Sequence, residues 1–147
     1  MEHAATANAL HEIFSTIIDG GDYHEIDRYF TPDYIDHSAV GDQHGTEAFS
    51  GMLEGFRAAM PGFRHDISDV TLIGDNMALW QVHLTATFTG EFMGTRGNGQ
   101  AIELWVANAA KFAEDGRVQE HWGMAQDALG LLLSQLGIDA AAFASAG

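Results

Sequence analysis

The spacing of apolar residues changes its period once along this chain, and that change is what most constrains the fold. From Ala4 to Asp19 the apolar side chains recur at helical spacing, and Gly20-Gly21 ends the segment. A short helix over Tyr23–Tyr29 and a longer one over Thr46–Met60 follow. From Ile67 onward the apolar residues alternate, as they do in strands. Because the helices precede the strands, the pattern predicts an α+β domain and excludes a parallel βαβ sheet.

The second half of the chain is divided by turn residues. Strands are predicted over Ile67–Ile73, Met77–Phe88, Gln100–Phe112 and Arg117–Ala125, with a glycine-rich loop over Gly90–Gly99 and a closing helix over Asp127–Leu136. A sheet that curves around the amino-terminal helices would enclose an apolar hollow, which is where small ligands bind. We therefore expect one domain over residues 1–147, with a core at about 5–137 and a loose tail at 138–147.

Composition excludes several classes of function. The chain has 6 Lys and Arg against 21 Asp and Glu, a formal charge of −15, so neither nucleic acid nor an anionic membrane surface is an expected partner. Cysteine is absent, which excludes thiol catalysis and cysteine-ligated zinc. No apolar run is long enough to span a membrane. The amino terminus lacks the pattern of a signal peptide, and we expect a cytoplasmic protein.

Four stretches occur in an informative order: Tyr29–His37, Gly45–Phe49, Phe88–Gly94, and Asp115–Trp122 leading to Asp127. In this order they resemble the SnoaL-like polyketide cyclases of the nuclear transport factor 2-like superfamily. The resemblance implies a cone-shaped α+β barrel, also called cystatin-like, in which a curved antiparallel sheet wraps around amino-terminal helices. It also implies a homodimer formed through the sheet. The implied chemistry is an intramolecular aldol condensation of a small hydrophobic or aromatic ligand, without metal or organic cofactor.

Two positions depart from the pattern of that family. Members often carry Arg where this chain has Gln81, and His where it has Phe88. These departures predict a more apolar pocket and a substrate other than the usual one.

An aldol closure needs a general base and a hydrogen-bond donor in a dry pocket. The resemblance implies a catalytic aspartate near the end of the last strand, and Asp127 matches it best. Strand alternation places Gln119, His121, Gly123 and Ala125 on one face and Val118, Glu120 and Trp122 on the other. If the first face lines the hollow, His121 is a second proton carrier or an orienting partner. The alternative for Asp127 is an ordinary N-cap of the closing helix.

His37 and Asp36 are neighbours in an extended segment, so only one of them should face inward. We favour His37 as an assisting catalytic residue, with a hydrogen-bonded core histidine as the alternative. The histidines show no close-spaced metal motif, and a metal held by His37, His121 and Asp127 is the weaker interpretation.

The predicted substrate contacts are one polar residue and several large apolar ones. Asn108 interrupts an apolar alternation, so it pairs either within the core or with a substrate oxygen. Phe14, Met52, Phe56 and Trp80 are candidates for the pocket wall. The sequence leaves open whether the face of Trp80 or the face of Gln81 points inward.

The sequence thus predicts a small cofactor-free enzyme that acts on a polycyclic or aromatic ketone by acid–base chemistry. Two alternatives stay open: a non-catalytic small-molecule binding protein, and an isomerase or hydrolase of the same fold.

Overall fold

A computed structural model describes residues 2–38, 41–125 and 136–139. The helical elements are α1 (His3–Ile13), a π-helical segment (Phe14–Ile18), a 3₁₀ turn (Tyr23–Glu25), α2 (Ile26–Tyr29) and α3 (Thr46–Ala59). The strands are β1 (Phe30–Ser38), β2 (Gly41–His44), β3 (Arg64–Ile73), β4 (Met77–Phe88), β5 (Glu91–Phe92), β6 (Thr95–Arg96), β7 (Gln100–Phe112) and β8 (Val118–Ala125).

Six strands form one curved sheet in the order β2-β1-β8-β7-β4-β3. The β3–β4 and β7–β8 neighbours are antiparallel, as expected of strands joined by short turns. However, β1, which lies in the helical half of the chain, pairs with β8 in parallel. The α+β class is therefore confirmed, whereas the expectation of a wholly antiparallel sheet is wrong: the sheet is mixed. The expected loop over Gly90–Gly99 contains the small β5–β6 hairpin.

The first helix is not regular along its whole length. It changes at Phe14 into a π-helical turn, in which the Asp19 N–H donates to the Phe14 carbonyl at 2.7 Å. His65 fixes the end of this turn to β3, since its backbone N–H and its ring Nδ1 both donate to the Asp19 carboxylate, at 3.0 and 2.6 Å. The wider turn directs Phe14 towards the sheet, where its ring meets Trp80 edge-on.

The helices cover the concave face of the sheet and form the core with it. Leu10 and Ile17 from the first helical segment are fully buried, and so are Trp80 and Val82 from β4. On β4, therefore, the face of Trp80 points inward and the face of Gln81 points outward, which the sequence alone does not decide.

A β-bulge interrupts the alternation of β8. Val118 pairs with Phe112 and Glu120 pairs with Lys111, so Gln119 is an extra residue on the β8 side. Because of it, Val118 and His121 face the same hollow although they are three positions apart. The prediction that Val118 shares a face with Glu120 is therefore wrong.

Other predictions fall on the outer surface or outside the described residues. Trp105 and Met124 are 48% and 46% exposed, and they share the outer face of the sheet with His83 and Ala107. The homodimer through the sheet stays a prediction. The closing helix lies outside the described residues, apart from Leu136, which is in a turn. None of the described helices is long and apolar enough to cross a membrane.

Candidate active site

A cavity of about 160 Å³ lies between the helices and the concave face of the sheet. Its helical wall is apolar and includes Leu10, Phe14 and Met52, while Trp80 and Val118 contribute to the sheet side. Four polar side chains from the sheet also line it: Tyr34, Asp36, Asn108 and His121. The cavity is therefore a largely apolar hollow with its polar groups on one wall, as ligand pockets usually are.

Strand pairing brings these polar groups together. Asp36 on β1 pairs directly with His121 on β8. On the next two strands, Asn108 of β7 pairs with Trp80 of β4. Neighbouring strands lie about 4.8 Å apart. The side chains of Asp36, His121, Asn108 and Trp80 therefore lie close together across the concave face of the sheet.

Tyr34, Asp36 and Asn108 form a hydrogen-bonded network with the imidazole of His121. His121 Nδ1 lies 2.6 Å from Asp36 Oδ1, and His121 Nε2 lies 2.8 Å from Asn108 Oδ1. The Tyr34 hydroxyl donates to the same Asp36 oxygen at 3.3 Å. Asp36 and Asn108 are only 4% and 6% exposed, so these two residues are shielded from bulk water, whereas the His121 side chain is partly exposed.

Hydrogen bonds also orient the amide of Asn108. Its Nδ2 donates to the Val106 carbonyl at 3.3 Å, so the side-chain oxygen of Asn108 is the atom that faces His121 Nε2 and accepts from it. The imidazole is thus held between an amide oxygen and a carboxyl group.

Tyr34 keeps its proton in this environment. Burial raises the pKa of the Tyr34 phenol well above its usual value, and the charge of Asp36 and the hydrogen bond to it act in the same direction. Tyr34 therefore serves as a neutral donor that orients Asp36.

The structure corrects the prediction for His37. Alternation from the buried Tyr34 turns Asp36 inward and His37 to the other face of the sheet. There the His37 ring stacks on Trp122, with 4.8 Å between the ring centres. His37 and His121 therefore point to opposite faces, which rules out both the inward role of His37 and a metal shared by the two.

His37 belongs instead to a charged cluster on the outer face. Its Nε2 lies 3.0 Å from a Glu120 oxygen, and its Nδ1 lies 3.0 Å from an Asp42 oxygen. These hydrogen bonds, that to Glu120 first, raise the pKa of His37 from its ordinary value of 6.5. Lys111 is the positively charged neighbour of Glu120, at 3.6 Å.

We expect the Glu120→Gln variant to lower the pKa of His37 towards 6.5, measured by NMR titration of the ring. Since the folded-state pKa is raised, the contribution of His37 to stability is complete below the unfolded-state pKa. It is lost as the pH rises through the folded-state value. The destabilisation by His37→Gln, measured in urea, should therefore shrink as the pH rises. An unchanged His37 pKa in Glu120→Gln would contradict the assignment.

The remaining predicted residues separate into three groups. Phe14, Met52, Trp80, Asn108 and His121 all line the cavity. Phe56 does not, because it lies one turn beyond Met52 on α3 and stacks on Phe92, 5.1 Å away; its prediction as a substrate contact is wrong for the described cavity. Asp127 lies outside the described residues, so its catalytic role stays a prediction.

Gln81 and Phe88 are also absent from the described cavity wall. Gln81 follows the inward-facing Trp80 and so points to the other face of β4. The departures from the family pattern at these two positions therefore do not determine the polarity of the hollow.

Sequence reasoning ranked Asp36 below His37 and did not select Tyr34. Tyr34 and Asp36 are two positions apart in a strand, so their side chains point to the same face. An aromatic residue that is expected in the core therefore indicates that Asp36 also faces inward. Tyr34, at 1% exposure, and Asp36 satisfy this relation.

Comparison with known proteins agrees with the fold. Solved structures that resemble the chain include a SnoaL-like polyketide cyclase candidate from Jannaschia sp. CCS1 (TM-score 0.75, 16% identity, 89% of this chain and 91% of that one). AclR, a hydroxylase candidate from Streptomyces galilaeus, gives 0.72 at 23% identity over 92% and 98% of the two chains. IdmH, a polyketide cyclase candidate from Streptomyces antibioticus, gives 0.69 at 21% identity over 90% and 99%.

These identities are low, so the structural likeness establishes the fold alone. No curated protein sequence matches the chain at a significant level. The sequence profile of the SnoaL-like polyketide cyclases, in contrast, matches residues 8–135. The chain therefore belongs to the SnoaL-like polyketide cyclase family.

Proposed function

We propose that this protein is an enzyme that removes a proton from the carbon next to a carbonyl group and so catalyses an aldol-type ring closure. The observation that carries the proposal is the Asp36–His121 pair on the wall of an apolar cavity, with Asp36 buried and His121 partly buried. A carboxylate and an imidazole in a dry site are suited to acid–base chemistry near neutral pH.

In the proposed reaction Asp36 is the base. Within the described residues both of its hydrogen-bond partners use Oδ1, which leaves Oδ2 for the substrate. The C–H bond breaks, an O–H bond forms on Asp36, and the electron pair passes into the ketone as an enolate. The enolate carbon then bonds to a second carbonyl carbon, and the resulting alkoxide takes the proton back. No oxidant or reductant is consumed.

His121 supports both steps of this cycle. Its Nδ1, 2.6 Å from Asp36 Oδ1, holds the Asp36 carboxyl group in place before and after the proton transfer. Asn108 holds Nε2 of the ring and so keeps Nδ1 directed at Asp36. Membership of the SnoaL-like polyketide cyclase family supports this chemistry, and the structurally similar IdmH is itself a polyketide cyclase candidate.

Deuterium exchange tests the proposal without knowledge of the natural substrate. We expect the protein in D₂O to exchange the methyl protons of acetophenone faster than buffer does, with saturation at high ketone concentration, measured by proton NMR. Proton removal is the first half of the aldol reaction, so exchange reports it directly. Saturable binding without exchange would contradict the enzyme and favour the alternative of a non-catalytic binding protein.

A further inference from the structure

The concave face of the sheet becomes more exposed in one direction along its central strands. On β7, Ala110 and Asn108 are 0% and 6% exposed, whereas Leu104, which alternation places on the same face, is 49% exposed. On β4, Trp80 is buried, while Leu84, which pairs with Leu104, is half-buried. The cavity is not fully enclosed, and the face that forms its wall is therefore accessible beyond Asn108.

This accessible part of the concave face is apolar. Three residue pairs follow one another across β4 and β7, and we call them the apolar strip: Val82 with Val106, Leu84 with Leu104, and Ala86 with Ile102. A strand advances about 3.3 Å per residue, so Leu104 lies about 13 Å along β7 from Asn108. The strip is thus long and only two strands wide, and it continues the wall on which the hydrogen-bonded network lies.

Gly123 of β8 lies where the network meets the apolar strip. It pairs with Asn108 and follows His121 by two positions, so it faces inward. A Cβ atom at Gly123 would lie 3.8 Å from His121 Cε1 and 3.7 Å from Asn108 Oδ1. It would lie 4.0 Å from Cγ1 of Val106, which begins the strip. These are ordinary contact distances, so a side chain would fit here and glycine leaves its space open.

Local backbone geometry does not account for this glycine. The φ angle of Gly123 is not positive, and the bulge of β8 is at Gln119, four positions earlier. Glycine in the interior of a strand weakens the strand, and it often marks a place where a ligand approaches closely. The position beside the His121 ring therefore points to a ligand that passes over Gly123.

We propose that the site takes a ketone with a linear apolar chain, whose carbonyl group lies at the Asp36–His121 pair and whose chain passes Gly123 onto the apolar strip. This inference rests on the proposed function and names its substrate class. A long, narrow, accessible apolar surface gains most from covering by a long, narrow apolar group. Gly123 is then a specificity-determining residue, because a larger side chain there would block the path of the chain.

Two methyl ketones test the chain. 2-Butanone and 2-nonanone have the same methyl ketone end and differ only in chain length. Each methylene that leaves water strengthens binding about threefold, so we expect wild type to bind 2-nonanone at least about thirtyfold more tightly than 2-butanone, measured by calorimetric titration. Equal affinities would overturn the inference, and no binding of either ketone would overturn the ligand class.

Three variants test where the chain lies. Gly123→Val obstructs the path and Leu104→Ser makes the strip polar, so each should reduce the ratio of the two affinities at least about fivefold. Trp105→Ser is the matched control, because Trp105 is the next residue and is equally exposed, at 48%, but lies on the outer face. It should keep the wild-type ratio. A ratio that both Gly123→Val and Leu104→Ser leave intact would overturn the placement of the chain.

Deuterium exchange of the same ketones separates this inference from the proposed function. A chain-length preference that depends on Gly123 and Leu104, without exchange, would support the inference and contradict the enzyme. Exchange of both ketones without a chain-length preference would support the enzyme and overturn the inference.

Discussion

Replacing Asp36 with Asn is expected to slow the exchange of acetophenone protons by about 10²–10⁴-fold, the usual contribution of a general base. Asn has nearly the same shape and retains an oxygen that can accept from Tyr34 and His121. It cannot accept a proton from carbon at neutral pH. The change therefore removes the base and retains the packing, and circular dichroism and the thermal midpoint should confirm a folded protein.

Two further Asp→Asn variants make this result specific. Asp33 is an exposed residue of the same strand, outside the described cavity wall, and Asp33→Asn should exchange at close to the wild-type rate. Asp127→Asn tests the carboxylate that the family resemblance implied. The assignment of Asp36 as the base would be wrong if the Asp36→Asn protein folded and exchanged protons at the wild-type rate. Slow exchange by Asp127→Asn in the same experiment would indicate that Asp127 is the base instead.

Replacing Ile17 with Ala is expected to lower the free energy of unfolding by about 2–5 kcal/mol. Ile17 has 0% exposure and lies in the π-helical segment at the centre of the core. Truncation removes apolar burial and leaves a void that the surrounding helix and sheet fill incompletely. Urea unfolding followed by tryptophan fluorescence would measure the loss.

The same substitution at Ile73 provides the matched comparison. Ile73 ends β3 and is 48% exposed, so Ile73→Ala should cost less than about 1 kcal/mol. Similar losses in the two variants would mean that the π-helical segment does not pack in the core as described.

Periodicity predicts α1, α3 and the strands β3, β4, β7 and β8, because each depends on local spacing, but it does not predict the short strands β2, β5 and β6. The apolar spacing of α3 and the alternation of β4 and β7 follow directly from which residues must be buried. The parallel pairing of β1 with β8 joins segments more than 80 residues apart, and no local pattern encodes such pairing. The π-helical turn at Phe14 likewise packs against Trp80 and His65 from the sheet, contacts that no local spacing encodes.

The site was predicted in part. Asn108 is predicted because a polar residue in an apolar alternation must find a partner, and His121 because it lies on the face of the last strand that could line the hollow; each is the partner of the other. For Asp36 and His37, alternation predicts that one of them faces inward but does not say which. The burial of Tyr34 decides for Asp36, against the expected His37.

The extra residue Gln119 divides β8 into two parts whose side chains are held in place by different kinds of contact. Before it, Val118 is held by the apolar interior that it shares with Phe30 and Phe112. After it, His121 is held by hydrogen bonds to neighbouring strands. Substitutions that repack the first part need not rotate the imidazole. In a regular strand without the bulge, Val118 and His121 would be three positions apart on opposite faces, and the imidazole would point away from Asp36. The proposed chemistry thus depends on the one extra residue in β8.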